Sequence, residues 1–304
     1  MSEERVLVTG ASGYLGRTVT RAERAAGRDV VAIDAHGEAG IEQVDLTERA
    51  AVAELLRTER FDTVVHLAAA AVGAAGLLAS ARTDPVMAAD VNVAATAHLA
   101  HAARESGVAR FVYGSSTTVY GPAEDYDDAR VTEAACLRPT TVYGATKASA
   151  EHLARTVLAG SPTRFTAVRL PLVYGGERWY GGALADLMRV VEAARAGESF
   201  EVELPADEAD WVHVDDAATA FGAVSAVGEP AGAYHVVGHT GSVLELAQRV
   251  ADGFGAREVS VRPAEHGGTG ALPLIDDSRA RQGLGFAPKR SDVEAAAASL
   301  IAGD

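Results

Sequence analysis

The sequence is poor in several residue types, and each shortage excludes a class of protein. Its one cysteine, Cys136, excludes an intramolecular disulfide, and no C-x-x-C or H-E-x-x-H pattern predicts a metal site. The 27 lysines and arginines are scattered among 42 acids, which argues against a nucleic-acid partner. The long apolar run at 64–81 contains a histidine and two glycines, so we expect a buried strand running into a loop, not a membrane span.

The N-terminal residues lack the basic, apolar and small-residue order of a signal peptide, so a cytoplasmic location is expected. The chain has 304 residues, of which 48% are hydrophobic. That length and composition allow one large or two small domains with a globular core.

Lysine is nearly absent: among the 27 basic residues only Lys147 and Lys289 are lysines. Lys147 stands four residues after Tyr143 in a segment that predicts a helix, so the two side chains share a face. A tyrosine hydroxyl titrates near ~10 unless a nearby positive charge favours the phenolate, and a compact ammonium suits that role better than a guanidinium. The pair therefore predicts proton transfer. The alternative is that Tyr143 packs in the core while Lys147 pairs with Glu151.

A glycine turn follows the first predicted strand, Arg5–Thr9. The turn is G-A-S-G-Y-L-G, with glycines at 10, 13 and 16, and a helical pattern follows it. Such glycines permit a tight turn, close approach of a pyrophosphate, and tight packing of helix on strand. The placement carries this prediction, because the spacing alone also arises by accident in a glycine-rich chain.

Asp34 ends the second predicted strand. An acid there hydrogen-bonds the adenosine ribose hydroxyls and repels a 2′-phosphate, which favours NAD over NADP. Arg28 and His36 are close in sequence and would soften that preference. The alternative is that Asp34 only starts a turn before Gly37. A further short strand is predicted at 44–46.

Polar residues stand out against the apolar elements that follow. His66 has no acid or hydroxyl nearby in sequence, and we interpret it as structural. Asn92 is the only asparagine and lies in a predicted helix at 84–106, which indicates that a buried amide is required there. The next strand, 110–114, delivers four hydroxyls, Ser115 to Thr118, to the strand end where ligands bind in open α/β sheets, although such residues also simply cap or turn a chain.

The order of these motifs resembles the extended branch of the short-chain dehydrogenase/reductase superfamily, the NAD-dependent epimerase/dehydratase family. The resemblance covers nearly the whole chain. Its matching stretches are V-T-G-A-S-G-Y-L-G from Val8, H-L-A-A from His66, N-V-A-A-T from Asn92, S-S-T-T-V-Y-G from Ser115, Y-G-A-T-K from Tyr143, residues 169–175, and H-V-D-D from His213.

The resemblance implies an α/β fold, a Rossmann-type doubly wound parallel sheet with a smaller C-terminal substrate-binding lobe. Residues 1–170, with 211–240 returning to them, are expected to form the NAD-binding domain. Residues 171–210 and 241–304 are expected to form the lobe.

By position, the resemblance implies that Tyr143 is the general acid/base, that Lys147 lowers its pKa and holds the nicotinamide ribose, and that Ser116 hydrogen-bonds the reacting oxygen. The NAD-binding residues that it implies are Gly10, Gly13, Tyr14, Leu15 and Gly16 at the pyrophosphate, Asp34 at the adenosine ribose, Asp45 and Leu46 at the adenine, and Leu67, Ala68, Ala69, Asn92, Tyr143 and Lys147 elsewhere. The implied substrate contacts are Ser116, Thr117, Thr118, Leu172, Trp179 and Tyr180.

Two departures from the family narrow the reaction. Sugar 4,6-dehydratases carry an acidic pair where this chain has Thr117 and Thr118, so water elimination lacks its acid and base. A dehydrogenase/reductase remains, or alternatively a nucleotide-sugar 4-epimerase with tightly held NAD. A catalytically silent NAD sensor would have no reason to keep both Tyr143 and Lys147.

The substrate is expected to be a small sugar, polyol or hydroxy ketone. Leu172 and Ala209 replace an asparagine and an arginine that often contact the substrate's nucleotide in the family, and residues 196–211 contain six acids and no basic residue. The alternative is that these acids face solvent and that Arg178 or Arg189 binds phosphate. Alanine-rich helices near 91–105 and 142–159 match the family's dimer interface, so a homodimer is expected.

Overall fold

The computed structural model describes residues 4–71, 73, 75–176, 184–228, 232–264 and 271–303. Arg178, Trp179 and Tyr180 therefore lie outside the described residues. The strands are β1 (Arg5–Thr9), β2 (Asp29–Asp34), β3 (Glu42–Gln43), β4 (Thr63–His66), β5 (Arg110–Ser116), β6 (Arg164–Leu170), β7 (Leu172–Tyr174), β8 (Phe200–Leu204), β9 (Glu208–His213), β10 (Ala233–His235), β11 (His239–Ser242) and β12 (Val259–Pro263).

Helices alternate with these strands through most of the chain. They are α1 (Tyr14–Ala25), α2 (Arg49–Glu59), α3 (Leu77–Thr83), α4 (Pro85–Ala89), α5 (Ala95–Glu105), α6 (Val142–Leu158), α7 (Ala185–Ala196), α8 (Val214–Ala226), α9 (Val243–Phe254), α10 (Ser278–Leu284) and α11 (Val293–Ala302). None of these helices combines the length and the hydropathy that crossing a bilayer requires.

Seven parallel strands form the large sheet, in the order β10-β6-β5-β4-β1-β2-β3. The strand order reverses between β1 and β4, which makes that boundary the topological switch point. Side chains of β1 and β4 are almost all fully buried, because helices cover both faces of the sheet. The predicted doubly wound parallel sheet is confirmed.

Two apolar cores flank this sheet, one on each face. One core packs α2, α5 and α6 against the sheet, and the other packs α1, α8 and β10. Both cores rely on short side chains such as Ala100 and Ala217, which let helix and sheet approach closely. The segments α8 and β10 therefore pack with the large sheet, although they follow residues 171–210, which are expected to belong to the lobe.

A third core belongs to the C-terminal part of the chain. There β7, β9 and β11 form a three-stranded sheet, β8 pairs with β12, and helices α7, α9 and α11 cover them around Trp211 and Leu246. The strand β9 thus joins this smaller sheet while the helix that follows it returns to the large one. The exact domain division remains a prediction.

Two local predictions differ from the structure. The predicted strand at 44–46 is absent: β3 ends at Gln43, and 44–46 continue as a loop along the cavity. The predicted helix at 84–106 is present but contains a π-helical turn, Asp90–Ala94, between α4 and α5. Such single-turn π insertions often mark functional sites, because they redirect side chains without ending the helix.

Candidate active site

A large cavity opens at the carboxyl ends of the parallel strands. Its volume is about 1520 Å³, more than the ~300–1,000 Å³ that one small ligand usually needs. The cavity is lined by the glycine turn, the ends of β1, β2, β4 and β5, the start of α6, and the loops of the C-terminal lobe. This space can accommodate a dinucleotide and a second small molecule at once.

The glycine turn is built so tightly that only glycine fits. Gly10 has a positive φ of 70°, and a Cβ placed on it would lie 2.5 Å from the amide nitrogen of Ala68. A Cβ on Gly16 would lie 2.0 Å from the carbonyl oxygen of Gly10. The helix α1 begins at Tyr14, inside this glycine stretch, and Gly13 before it offers no side-chain cap, so backbone N–H groups of the first helical turn are left for a phosphate. This cradle fits a pyrophosphate.

The adenosine end of the cavity is marked by acids. Asp34 accepts a hydrogen bond from the amide of Ser12 at 3.1 Å and lines the cavity, so it does more than start a turn. Asp45 and Leu46 line the same end, and hydrogen bonds from Thr47 hold the pKa of Asp45 below its usual value. An anionic carboxylate at the strand end fits the ribose hydroxyls of NAD.

The two basic residues named from the sequence at this end behave differently. Arg28, which follows α1, pairs with the buried Glu23 and with Glu4, and it does not line the cavity. His36 lines the cavity rim with its side chain 94% exposed, 3.9 Å from the carboxylate of Asp34. Arg28 is therefore no counter-charge at the ribose position.

The hydroxyl row at the end of β5 lines the opposite half of the cavity. Ser116 accepts hydrogen bonds from the amide of Thr118 at 3.2 Å and from the Thr118 hydroxyl at 3.0 Å, so it caps a short 3₁₀ turn. Its own hydroxyl hydrogen remains available for a ligand oxygen. Ser116 therefore both caps the turn and lines the cavity.

Tyr143 and Lys147 lie on the cavity-facing side of α6, as their spacing predicts. Tyr143 is 7% exposed, and the Nζ atom of Lys147 lies 5.7 Å from the centre of its ring. Nζ donates a hydrogen bond to the carbonyl oxygen of Gly114 at 2.8 Å and approaches the ring of Tyr113 to 4.7 Å. Lys147 is therefore aimed at the cavity end of β5 and not paired with Glu151.

Burial dominates the electrostatics of Lys147. With 2% exposure, the ammonium has a pKa lowered from 10.5 to about 8, and the carboxylate of Glu151 only partly opposes that shift. At neutral pH the side chain is thus mostly charged. A positive charge beside a phenol favours the phenolate, which is the state that accepts a proton.

Asn92 and His66 stand behind the site instead of in it. The amide of Asn92 is 1% exposed; its oxygen accepts from the amide of Ala70 at 2.8 Å, and its nitrogen donates to Thr146 at 2.9 Å. A buried amide is indeed required there, and it does not line the cavity. His66 bridges the hydroxyls of Thr9 and Thr96, and burial lowers its pKa to about 3, so it stays neutral and structural.

Two contacts in the site could not be predicted from the sequence. A Cβ on Gly144 would lie 2.0 Å from the carbonyl oxygen of Thr118, so the start of α6 touches the hydroxyl row backbone to backbone. Glu151 forms a buried ion pair with Arg169 at 2.7 Å and accepts from the Ser115 hydroxyl at 2.5 Å. The spacing of Ser115, Glu151 and Arg169 along the chain offers no signal of this contact.

The lobe side of the cavity is apolar and acidic. Leu172 lines it together with Asp207, Glu208 and Asp210. Asp210 is buried and accepts hydrogen bonds from Thr240 and from the amide of Ile275. The other three acids of the cluster do not line the cavity. No arginine or lysine of the described residues beyond 169 lines it either.

Arg189, one of the two arginines considered for phosphate binding, does not reach the cavity. Arg189 stacks over the ring of Phe200 at 4.5 Å and lies 3.8 Å from Asp186, away from the cavity. No group of three or more potential metal ligands occurs in the described part of the chain.

Comparison with known proteins agrees with this site. The profile of the NAD dependent epimerase/dehydratase family matches residues 6–237. The chain is 27% identical to the UDP-glucose 4-epimerase of Streptomyces lividans over 95% of this chain and 93% of that one. It is 32% identical to the dTDP-glucose 4,6-dehydratase of Neisseria gonorrhoeae over 78% of this chain and 73% of that one.

Solved structures extend the likeness. MoeE5 in complex with UDP-glucose and NAD is 30% identical, with a TM-score of 0.80, over 98% of this chain and 97% of that one. The Thermus thermophilus UDP-glucose 4-epimerase complex with NAD is 25% identical, with a TM-score of 0.80, over 97% and 98%. These similarities agree with the tight glycine turn and with the pair of Tyr143 and Lys147. The chain is an NAD-dependent enzyme of the NAD-dependent epimerase/dehydratase family.

Proposed function

We propose that the protein is a dehydrogenase or reductase that interconverts a secondary alcohol and a ketone on a small sugar, polyol or hydroxy ketone. The observation that carries this proposal is the lobe side of the cavity, where Leu172, Asp207 and Glu208 stand among apolar residues without a lysine or arginine from the described residues beyond 169. A nucleoside diphosphate there would face acids and lose charge-assisted hydrogen bonds. A small uncharged substrate avoids both costs.

The roles of the catalytic side chains follow from their positions. When bound, the nicotinamide cofactor would accept the hydride as NAD⁺ in oxidation and donate it as NADH in reduction. In oxidation the phenol oxygen of Tyr143, as phenolate, takes the hydroxyl proton of the substrate, and in reduction the phenol returns it. Lys147 stabilises the phenolate, and Ser116 donates its hydroxyl hydrogen to the reacting oxygen. Thr117 and Thr118 line the same wall and supply neither an acid nor a base for water elimination.

A second candidate is a nucleotide-sugar 4-epimerase that retains NAD. The likeness to MoeE5 in complex with UDP-glucose, at 30% identity over 98% of this chain, favours it. Every catalytic residue named above would serve that reaction too, since its first half is the same oxidation. The two candidates differ in the substrate and in whether the cofactor leaves after each turnover.

One experiment separates them. A panel of polyols, free sugars and hydroxy ketones is tested with added NAD or NADH, and absorbance reports net turnover of the free cofactor. Calorimetry against UDP- and dTDP-sugars runs in parallel. Net cofactor turnover with a small substrate supports the dehydrogenase, whereas low-micromolar binding of a nucleotide sugar without net turnover makes the epimerase the better assignment.

A further inference from the structure

Arg17 is linked through Ser12 to Asp34, which lines the adenosine end of the cavity, while Arg17 itself does not line it. The Nε atom of Arg17, on the first turn of α1, donates to the carbonyl oxygen of Ser12 at 2.8 Å. The amide of the same Ser12 donates to the carboxylate of Asp34 at 3.1 Å. One residue of the glycine turn therefore joins the guanidinium of Arg17 to the acid expected at the ribose hydroxyls.

The other two nitrogen atoms of that guanidinium are bound by a second acid. Glu38 binds it through both carboxylate oxygens, with contacts of 2.5 Å to Nη1 and 2.8 Å to Nη2. Two backbone hydrogen bonds between Glu38 and Ile41, of 3.1 Å and 2.9 Å, close the turn that carries Glu38. This two-point geometry is the one in which a guanidinium otherwise binds a phosphate.

The charges around Asp34 determine whether an added phosphate is attracted or repelled. Asp34 and Glu38 together outweigh Arg17 by one negative charge, and a phosphate monoester would add about two more at neutral pH. Both side chains of the ion pair are partly exposed, at 52% for Arg17 and 38% for Glu38, so solvent screens the attraction between them. The carboxylate of Glu38 nevertheless contacts both Nη atoms of Arg17.

We propose that Glu38 is a second cofactor-specificity residue, which acts by occupying Arg17 and so prevents that arginine from binding the 2′-phosphate of NADP. Asp34 repels the phosphate directly, while Glu38 removes the cation that would attract it. The proposal concerns the cofactor alone and does not depend on which substrate the enzyme uses.

The test compares affinities for NAD and NADP, by calorimetry without substrate, in four proteins besides the wild type. Glu38→Gln removes the charge that holds Arg17, and Arg17→Gln/Glu38→Gln removes the freed arginine as well. Glu42→Gln is the matched control, because it deletes an exposed acid on β3 and the same net charge. Glu38→Asp keeps the charge.

In Glu38→Gln the NADP affinity relative to NAD is expected to rise roughly fivefold, since a freed guanidinium gains a charge-assisted contact. Glu42→Gln and Glu38→Asp are expected to stay within twofold of wild type, and the double variant to lose the gain. An equal rise in Glu42→Gln, or a gain that survives in the double variant, would overturn the proposal. No change in Glu38→Gln would do the same.

Discussion

The ammonium of Lys147 is bonded to the carbonyl of Gly114, with 2.8 Å between Nζ and the oxygen. One turn further along α6, Glu151 accepts a hydrogen bond from the hydroxyl of Ser115 at 2.5 Å. Two side chains on one helical face thus hold the two residues that precede Ser116 on β5. These contacts fix the position of α6, which carries Tyr143, relative to the end of β5, which carries Ser116.

Replacing Tyr143 with phenylalanine is expected to abolish turnover while NAD affinity stays within a few-fold, because the hydroxyl acts in the transition state. Turnover and NAD affinity are measured by steady-state kinetics and calorimetry. Tyr113→Phe is the matched control, since the Tyr113 hydroxyl is buried, has no hydrogen-bond partner among the described residues and does not line the cavity. If Tyr143→Phe kept more than about a tenth of wild-type kcat, the proton-transfer assignment would be wrong.

Replacing Lys147 with methionine is expected to inactivate the enzyme but stabilise the apoprotein. Burial lowers the pKa of Lys147 from 10.5 to about 8, so between those values the unfolded chain binds more protons than the folded one. Stability of the wild type therefore rises with pH across that window, and the burial penalty is fully present below it. The Lys147→Met variant lacks this penalty but also loses the hydrogen bond to the carbonyl of Gly114. The net gain in the free energy of unfolding is on the order of 2 kcal/mol at pH 7.

Urea unfolding at several pH values measures that difference. The stability gap between Lys147→Met and wild type should be largest at pH 7 and shrink as pH rises above about 8. Lys289→Met is the control, because it makes the same substitution at the other lysine of the chain, which is exposed. A gap that does not vary with pH would contradict the assigned titration of Lys147.

Alanine at position 144 is expected to lower both stability and kcat, the latter by at least about tenfold. Its Cβ would lie 2.0 Å from the Thr118 carbonyl oxygen, so the start of α6 must move away from the hydroxyl row. Gly222→Ala, within α8, is the control: its Cβ meets nothing closer than 3.9 Å. That change should stabilise the helix by up to ~1 kcal/mol. Equal melting temperatures and rates for the two variants would refute the close contact at 144.

We expect a homodimer formed through the alanine-rich helices near 91–105 and 142–159. Beside them, Val86 on α4, a helix that packs on α6, is 68% exposed and does not line the cavity. Light scattering at micromolar concentration should give twice the 31.3 kDa chain mass, and Val86→Glu should halve it. Wild-type protein that scatters as a single chain would exclude this dimer.

The order of motifs in the sequence determined the fold class and the position of the reacting pair. Alternation of short apolar strands with helices leaves a parallel sheet as the arrangement that buries both faces, and the spacing of Tyr143 and Lys147 sets them on one helical face. The burial of Asn92 also followed from local chemistry, since a lone amide is disfavoured in a solvated helix.

The tertiary structure alone decided which side chains meet across the chain. Arg28 is the arginine nearer to Asp34 in sequence, yet it pairs with Glu23 and Glu4. The more distant Arg17 bonds to Ser12, whose amide bonds to Asp34. Likewise the partner of Glu151 is Arg169 on a neighbouring strand, not the lysine one turn away on its own helix. Contacts of this kind depend on how helices and strands pack, and local spacing carries no information about that packing.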